Sequence, residues 1–428
     1  MTNPLGMDCL PLLRACFRHV RLFPGKVGPN PGNPKLHQGL RGAVILSLAL
    51  AVAGCNTPTP PLPTKPPSED SVRVAILTPM TGELATFGET VRNGITLAFD
   101  EWNEGGGVNG QFIEWVLEDT RCDPLEARQA AERAVNDLGA RFIVGGLCSE
   151  SAIPIARAVD EQGVLFIGAT ATHPLVTVDS EGVTRPLVFR ASYAYPYQGR
   201  AAARFAFDEL NARRAAVLTN PSDDFVRSLT DEFMAEFVAG GGQIVTAPIY
   251  PPGRPASDSV DAHLETIIGD IAEAAPEVLY VPDAYPVANR VANLVRDQGL
   301  DVTLIGSEVW DNGDLDIEAL DGAFFTTHYS IETPNAVAEA WKERYLTAFA
   351  IEPDTLAALG YDAGNMLASA LEGAQNLTPD EVAQGLETVE FEGVTGGWRF
   401  DAQHDPLKPV VVVKIEDGDV VFYTTVQP

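Results

Sequence analysis

Positive charge is scarce in this sequence. Its 428 residues carry 29 Lys and Arg against 59 Asp and Glu, a formal net charge of −30. Six of the basic residues and one of the acidic ones fall in the first 54 positions, so the remainder is more acidic still. A surface of that sign repels phosphate backbones and anionic lipid headgroups, which argues against nucleic acid and anionic membrane faces as partners. Histidine is scarce too. Of six, His19 and His37 lie near the N-terminus and His404 is expected to be exposed. No G-x-S-x-G or H-E-x-x-H pattern occurs, so neither an elbow-type serine nucleophile nor a zinc-protease helix is on offer. The expectation is a protein that is not an enzyme, with no metal and no cofactor. Long apolar runs are missing as well. Ala43–Ala53 is a run of about a dozen residues, too short to span a bilayer. No internal repeat is evident, and the one biased segment is the Pro/Thr-rich stretch Asn56–Asp70.

Cysteine is limited to Cys9, Cys16, Cys55, Cys122 and Cys148. Arg41 precedes the apolar run, which ends Val52-Ala53-Gly54-Cys55. A basic flank, a short apolar stretch and small residues form an export signal. The cysteine directly after it resembles a bacterial lipobox, which implies that Cys55 is the lipidated new N-terminus. About forty residues ahead of the apolar run are long for such a signal. They point to a start codon assigned too early, and leave Cys9 and Cys16 without a role. Residues 1–54 are therefore expected to be leader, and 55–71 an extended, unpacked tether. Export places the protein in the periplasm or at the cell surface, lipid-anchored to the membrane. That compartment is oxidising, so the two remaining cysteines, Cys122 and Cys148, are expected to pair. Their spacing is not the C-x-x-C of a redox-active pair.

What is abundant is the alternation of short apolar runs with helical patterns. Asp123, Pro124 and Glu126 form a helix start: carboxylate cap, Pro at the first position, acid at the third. Ala127, Ala130, Ala131, Ala134, Val135 and Leu138 follow at helical spacing, and Gly139 stops them. Phe142-Ile143-Val144 is a buried strand. A helix is predicted from about Ser151 to Gln162 with Gly163 at its end, and Val164–Ile167 is a second strand. This is a βαβ unit, whose strand C-termini share one sheet edge, the ligand edge of open α/β sheets. Gly145, Gly146 and Ser149 lie on that edge, with Gly168 to Thr172 in the neighbouring loop. Hydroxyls and helix N–H groups without Lys or Arg suit one small carboxylate better than a phosphate chain.

The segments Asp119-Thr120-Arg121-Cys122-Asp123-Pro124, Val144-Gly145-Gly146-Leu147-Cys148-Ser149 and Gly168-Ala169-Thr170-Ala171-Thr172-His173-Pro174 resemble, in order and spacing, the branched-chain amino-acid binders among the type I periplasmic solute-binding proteins of ABC transporters. The likeness runs from about Val72 to Phe422. Thr170 stands where that family has alanine, His173 where it has asparagine, and Tyr195 where relatives often have Asp. The resemblance implies a ligand carboxylate held by Ser149, Thr172 and the backbone at Thr170–Ala171, with Phe87 as an aromatic neighbour.

A second run of strand–loop–helix units begins at Ala215. Its loops carry Phe225, Tyr285 and Glu308 to the corresponding edge. Glu308, in Ile305-Gly306-Ser307-Glu308-Val309, stands where the family has the carboxylate that takes the ligand's ammonium. Asp283 and Asp311 are rival acids nearby. The expected fold is α/β: two doubly wound parallel-sheet domains joined by a three-strand hinge, with crossings near Ala191, Thr327 and Thr395–Phe400. The domains are expected at 72–191 with 327–396, and at 192–326 with 397–428. The function implied is an extracytoplasmic lipoprotein of an ABC importer. It would bind a branched-chain, other apolar or aromatic amino acid, or a small amide, as a monomer working with a membrane permease. The alternative is a ligand-sensing lipoprotein that signals to a membrane partner without transport.

Overall fold

A computed structural model of the chain describes residues 71–250 and 258–428. The leader, Cys55, the tether and the loop expected at 251–257 lie outside them. The first sheet holds five strands: β1 (Ser71–Thr78), β2 (Phe112–Asp119), β3 (Phe142–Gly145), β4 (Leu165–Gly168) and β5 (Val188–Arg190). They pair in the order β2-β1-β3-β4-β5, and every pairing is parallel. A parallel sheet is covered on both faces, which is why its strands read as continuous apolar runs. Val74 and Ile76 face one core, with the helices Ala85–Glu104 and Thr355–Gly373. Ala75 and Leu77 face another, with the helices Pro124–Asn136 and Ser149–Gln162. The first two of these helices touch backbone to backbone. A Cβ on Gly94 would meet the Ala357 carbonyl oxygen at 2.1 Å, and one on Gly360 the Val91 carbonyl oxygen at 2.5 Å.

The second sheet repeats the same winding. Strands β6 (Arg214–Val217), β7 (Gln243–Thr246), β8 (Val278–Tyr280), β9 (Thr303–Gly306) and β10 (Phe324–Thr327) run parallel in the order β7-β6-β8-β9-β10. Helices Tyr195–Arg204 and Asp224–Ala239 cover one face, Asp258–Ala274 and Tyr285–Asp297 the other. An antiparallel hairpin, β14 (Val410–Glu416) and β15 (Asp419–Val426), extends the β10 edge. In this strand order the connections leave the first strand in opposite directions, so a crevice opens at the C-terminal edge beside it. That places the loops after β1, β3 and β4, and those after β6, β8 and β9, at the ligand edges.

Two expectations need correction. Thr395–Phe400 does not carry the chain into the second sheet. Strand β12 (Gly396–Phe400) pairs with β11 (Phe391–Gly393) and β13 (Pro406–Leu407) in a small antiparallel sheet, and the second sheet is rejoined only at Val410. The end of β12 and the segment after it pack on β5: Phe189 meets Phe400 edge-on at 5.0 Å, and Arg190 is ion-paired with Asp405 at 2.6 Å. His404, expected to be exposed, is 6% exposed. Its ring stacks on Phe189 at 4.0 Å and one nitrogen lies 3.0 Å from the Val188 carbonyl oxygen. A polar turn sequence conceals such tertiary stacking.

Cys122 and Cys148 are disulfide-bonded, with Cα atoms 5.7 Å apart. The bridge ties the loop after β2 to the loop after β3, beside the ligand edge. Closing a loop of 26 residues' separation stabilises a chain by roughly 3–4 kcal/mol on the loop-entropy account. Replacing both cysteines by serine is predicted to lower the urea-unfolding free energy by about that amount. An unchanged midpoint and slope would contradict the prediction.

Candidate functional site

The loop after β3 is shaped by glycine. Gly145 has φ of 136°, and a Cβ there would lie 2.2 Å from the Leu77 carbonyl oxygen. The Gly146 N–H donates to that same oxygen at 2.7 Å. The next helix starts two residues earlier than the sequence suggested, at Ser149, because Cys148 takes the extended backbone of a cap. No side chain caps this end, so its first N–H groups stay available to an anion. Ser149 Oγ accepts from the His173 N–H at 3.2 Å, which leaves the hydroxyl proton free to donate.

The two threonines after β4 behave differently. The Thr170 hydroxyl donates to the Leu147 carbonyl at 3.0 Å, so it ties one ligand loop to the other and its proton is committed. Thr172 Oγ1 donates to Glu308 Oε1 at 3.3 Å. The loop between them is braced from behind by buried Arg190, which donates to the carbonyls of Ala171 and His173 at 3.2 and 2.9 Å. His173 Nδ1 accepts from the Leu175 N–H at 3.0 Å and caps the short turn Pro174–Val176. Its ring packs edge-on against Tyr195, and Tyr195 edge-on against Phe225. Burial lowers the His173 pKa, with Arg190 adding to the effect, and raises the Tyr195 hydroxyl to about 12. Asp119 accounts for the first residue of its motif: it accepts from the Met80 N–H at 2.8 Å and the Thr81 hydroxyl at 2.5 Å, joining the loops after β1 and β2.

On the facing side, Glu308 begins a single helical turn after β9. Gly306 is required there, since a Cβ would fall 2.1 Å from the Trp310 ring. Trp310 donates to the Asp283 carbonyl at 3.0 Å, and Ser307 to the Pro282 carbonyl at 2.6 Å. Glu308 Oε2 lies 2.8 Å from His328 Nε2 and 3.5 Å from Gln198 Nε2. The rival acids are differently engaged. Asp283 accepts from the Ala284 N–H at 2.6 Å, and burial pushes its pKa up to about 6. Asp311 accepts from the Thr355 hydroxyl at 3.0 Å. Tyr285 and Phe225 are half-buried at the starts of their helices. Phe87, at 43% exposure, makes no aromatic contact with this group.

Beneath Glu308 lies a buried polar cluster that sequence reasoning missed. The His328 ring stacks on Tyr193 at 3.7 Å. Lys408 Nζ donates to the Ala191 carbonyl at 2.9 Å and to Thr395 Oγ1 at 2.8 Å. Thr395 donates to Asp362 at 2.6 Å, and Asp362 also accepts the backbone N–H groups of Val394 and Thr395. Burial pulls the Lys408 pKa down to about 8, against the opposing charge of Asp362. His328 follows directly on β10, at a sheet's C-terminal edge, and that position is the one signal that could have found it. A cavity of about 400 Å³ lies behind, lined by His328, Asn335, Thr395 and Pro409. It does not touch Ser149, Thr172 or Glu308, so it is separate from the site.

Two sheet edges, one offering N–H and hydroxyl donors and the other a carboxylate, meet where Thr172 contacts Glu308. Residues 71–419 match the periplasmic binding protein family, and the chain belongs to that family of solute-binding proteins. A leucine-, isoleucine-, valine-, threonine- and alanine-binding protein of Pseudomonas aeruginosa is 27% identical over 343 residues, 78% of this chain and 87% of that protein. The structure of a leucine-binding protein from Thermotoga maritima is similar with a TM-score of 0.68 at 30% identity, covering 83% of this chain and 99% of that one. A branched-chain amino acid substrate-binding protein from Streptococcus pneumoniae, solved with isoleucine, gives a TM-score of 0.69 at 25% identity over 84% of this chain and 100% of that one.

The two threonines can be separated experimentally. Thr170→Val removes a tie between loops and is expected to lower stability by about 1 kcal/mol, with a smaller loss of ligand affinity than Thr172→Val. Denaturant unfolding and calorimetric titration with L-leucine would check this. A Thr170→Val variant that loses more affinity than Thr172→Val would refute the assignment.

Proposed function

We propose that the protein is the extracytoplasmic receptor of an ABC importer, and that it binds an α-amino acid with a branched or other apolar side chain. The observation that carries this reading is the pairing of Thr172 with Glu308 across the crevice, beside an uncapped helix end at Ser149. Two oxygens 3.3 Å apart are spaced to accept two N–H bonds of one ammonium, which moves Thr172 from the carboxylate end, where the family resemblance put it, to the ammonium end. The Ser149 hydroxyl and the backbone N–H groups of its helix take the ligand's carboxylate, with the Thr170–Ala171 backbone alongside. Tyr195, Phe225 and Tyr285 wall the side-chain space, and Phe87 stands at its rim. The relatives named for leucine, isoleucine and valine support the same ligand class.

The two domains close on the ligand about three crossings. They comprise 72–191 with 327–396 and 192–326 with 397–428 as read from the sequence. The packing of Phe400 and Asp405 on β5 supports moving the last boundary to Lys408. The protein works as a monomer, anchored through Cys55 and handing its ligand to a membrane permease.

Glu308→Ala leaves the ligand ammonium buried and unpaired. It is expected to weaken L-leucine binding by on the order of 2–5 kcal/mol in calorimetric titration. Unchanged affinity would exclude the ammonium role. Cys55→Ala is expected to release the exported protein from the membrane fraction, and retention there would place the anchor elsewhere.

A further inference from the structure

We propose that His328 is the positioning residue for the ligand-binding carboxylate: its Nε2–H holds Glu308 Oε2, which aims Oε1 at the ligand beside Thr172, so that ligand and proton compete across Glu308. This rests on the reading of Glu308 as the ammonium partner. His328 is 2% exposed, and its ring is fixed face to face on Tyr193 with centroids 3.7 Å apart. Nε2 lies 2.8 Å from Glu308 Oε2. Nδ1 has no hydrogen-bond partner among the described residues. The ring therefore satisfies its surroundings as the neutral tautomer with its proton on Nε2. A second proton would sit on a buried nitrogen with no acceptor.

The charges around the ring agree. Glu308, from the turn after β9, favours a second proton. Burial opposes it and dominates, and Lys408, from the segment before β14, opposes it as well. Behind Lys408 stands Asp362, from the Thr355–Gly373 helix, which faces the lysine rather than the imidazole. Tyr193 and Gln198 contribute neutral groups from the segment around the start of the Tyr195–Arg204 helix, and Tyr280 contributes another from β8. A ligand ammonium would bring one more positive charge onto Glu308 and lower the imidazole's proton affinity further. The sign follows from linkage. The ligand-bound form binds the proton less tightly than the free form. Affinity is thus level above the free-state pKa of His328 and falls below it, by at most tenfold per pH unit, until the bound-state pKa is passed. Asp283, pushed up to about 6 by burial, titrates between pH 5 and pH 8 as well, so the comparison must remove His328 alone.

The test is calorimetric titration of L-leucine from pH 5 to pH 8 with wild type, His328→Leu and His328→Gln. Histidine-ring NMR of the ligand-free wild type and Glu308→Gln accompanies it. Wild-type affinity should fall on acidification. His328→Leu should bind about tenfold more weakly at pH 7 and lose most of the acid fall. His328→Gln, which restores an N–H donor without a titrating ring, should recover much of the affinity while keeping the flatter profile. A His328→Leu variant with wild-type affinity and pH profile overturns the proposal. If wild type binds no leucine, the ligand assignment fails, and the NMR arm decides this one separately. There the ring should stay neutral, protonated at Nε2, below the ordinary histidine pKa of about 6.5, and Glu308→Gln should lower its pKa further. A ring that titrates at the ordinary value and ignores Glu308→Gln overturns it.

Discussion

The structure turns on one carboxylate whose charge the protein balances only in part. Glu308 is largely enclosed between two sheet edges, where an ionised group needs hydrogen bonds and an opposite charge. The protein supplies the hydrogen bonds through Thr172, Gln198 and His328. Its nearby cation, Lys408, is hydrogen-bonded to Thr395 and acts first on the charge of Asp362, with Glu308 a lesser partner. In the proposed reading the missing charge arrives with the ligand. A site built this way favours an ammonium over a neutral group of the same shape, because a neutral group leaves the deficit in place.

The architecture explains why the participants come from so many parts of the chain. Two sheets with the same strand order each present a crevice at their C-terminal edges. The connections between them run close to those crevices. Tyr193 lies after β5, His328 follows β10, and Lys408 precedes β14. The segments that join the domains therefore also carry the groups behind Glu308, and domain geometry and charge balance at the site share the same residues.

Much of this was legible in the sequence where the cause is local. Asp123 caps its helix as its sequence context indicates, accepting from the Leu125 and Glu126 N–H groups. Gly163 ends the following helix with left-handed backbone. The buried parallel strands stood out as short apolar runs. The Cys122–Cys148 pairing followed from export and from the few cysteines left. Where the cause is tertiary, the sequence misled or was silent. Thr170 and Thr172 are alike in sequence, and only geometry shows that one ties the loops together while the other meets Glu308. Arg190 looks like a strand-end charge, yet it braces the ligand loop through its carbonyls. His404 sits in a polar turn and still stacks on Phe189. His328 and Lys408 acquire their surroundings from residues up to 217 positions away, so no local pattern marks them.

The central claim is that Glu308 selects for a positive charge on the ligand. The most direct measurement compares, on wild-type protein at neutral pH, calorimetric titrations of L-leucine and of its des-amino counterpart, 4-methylpentanoate. The two share the carboxylate and the branched side chain and differ only in the ammonium. The account predicts that the des-amino acid binds more weakly by on the order of 2–5 kcal/mol. Equal affinity for the two would contradict it.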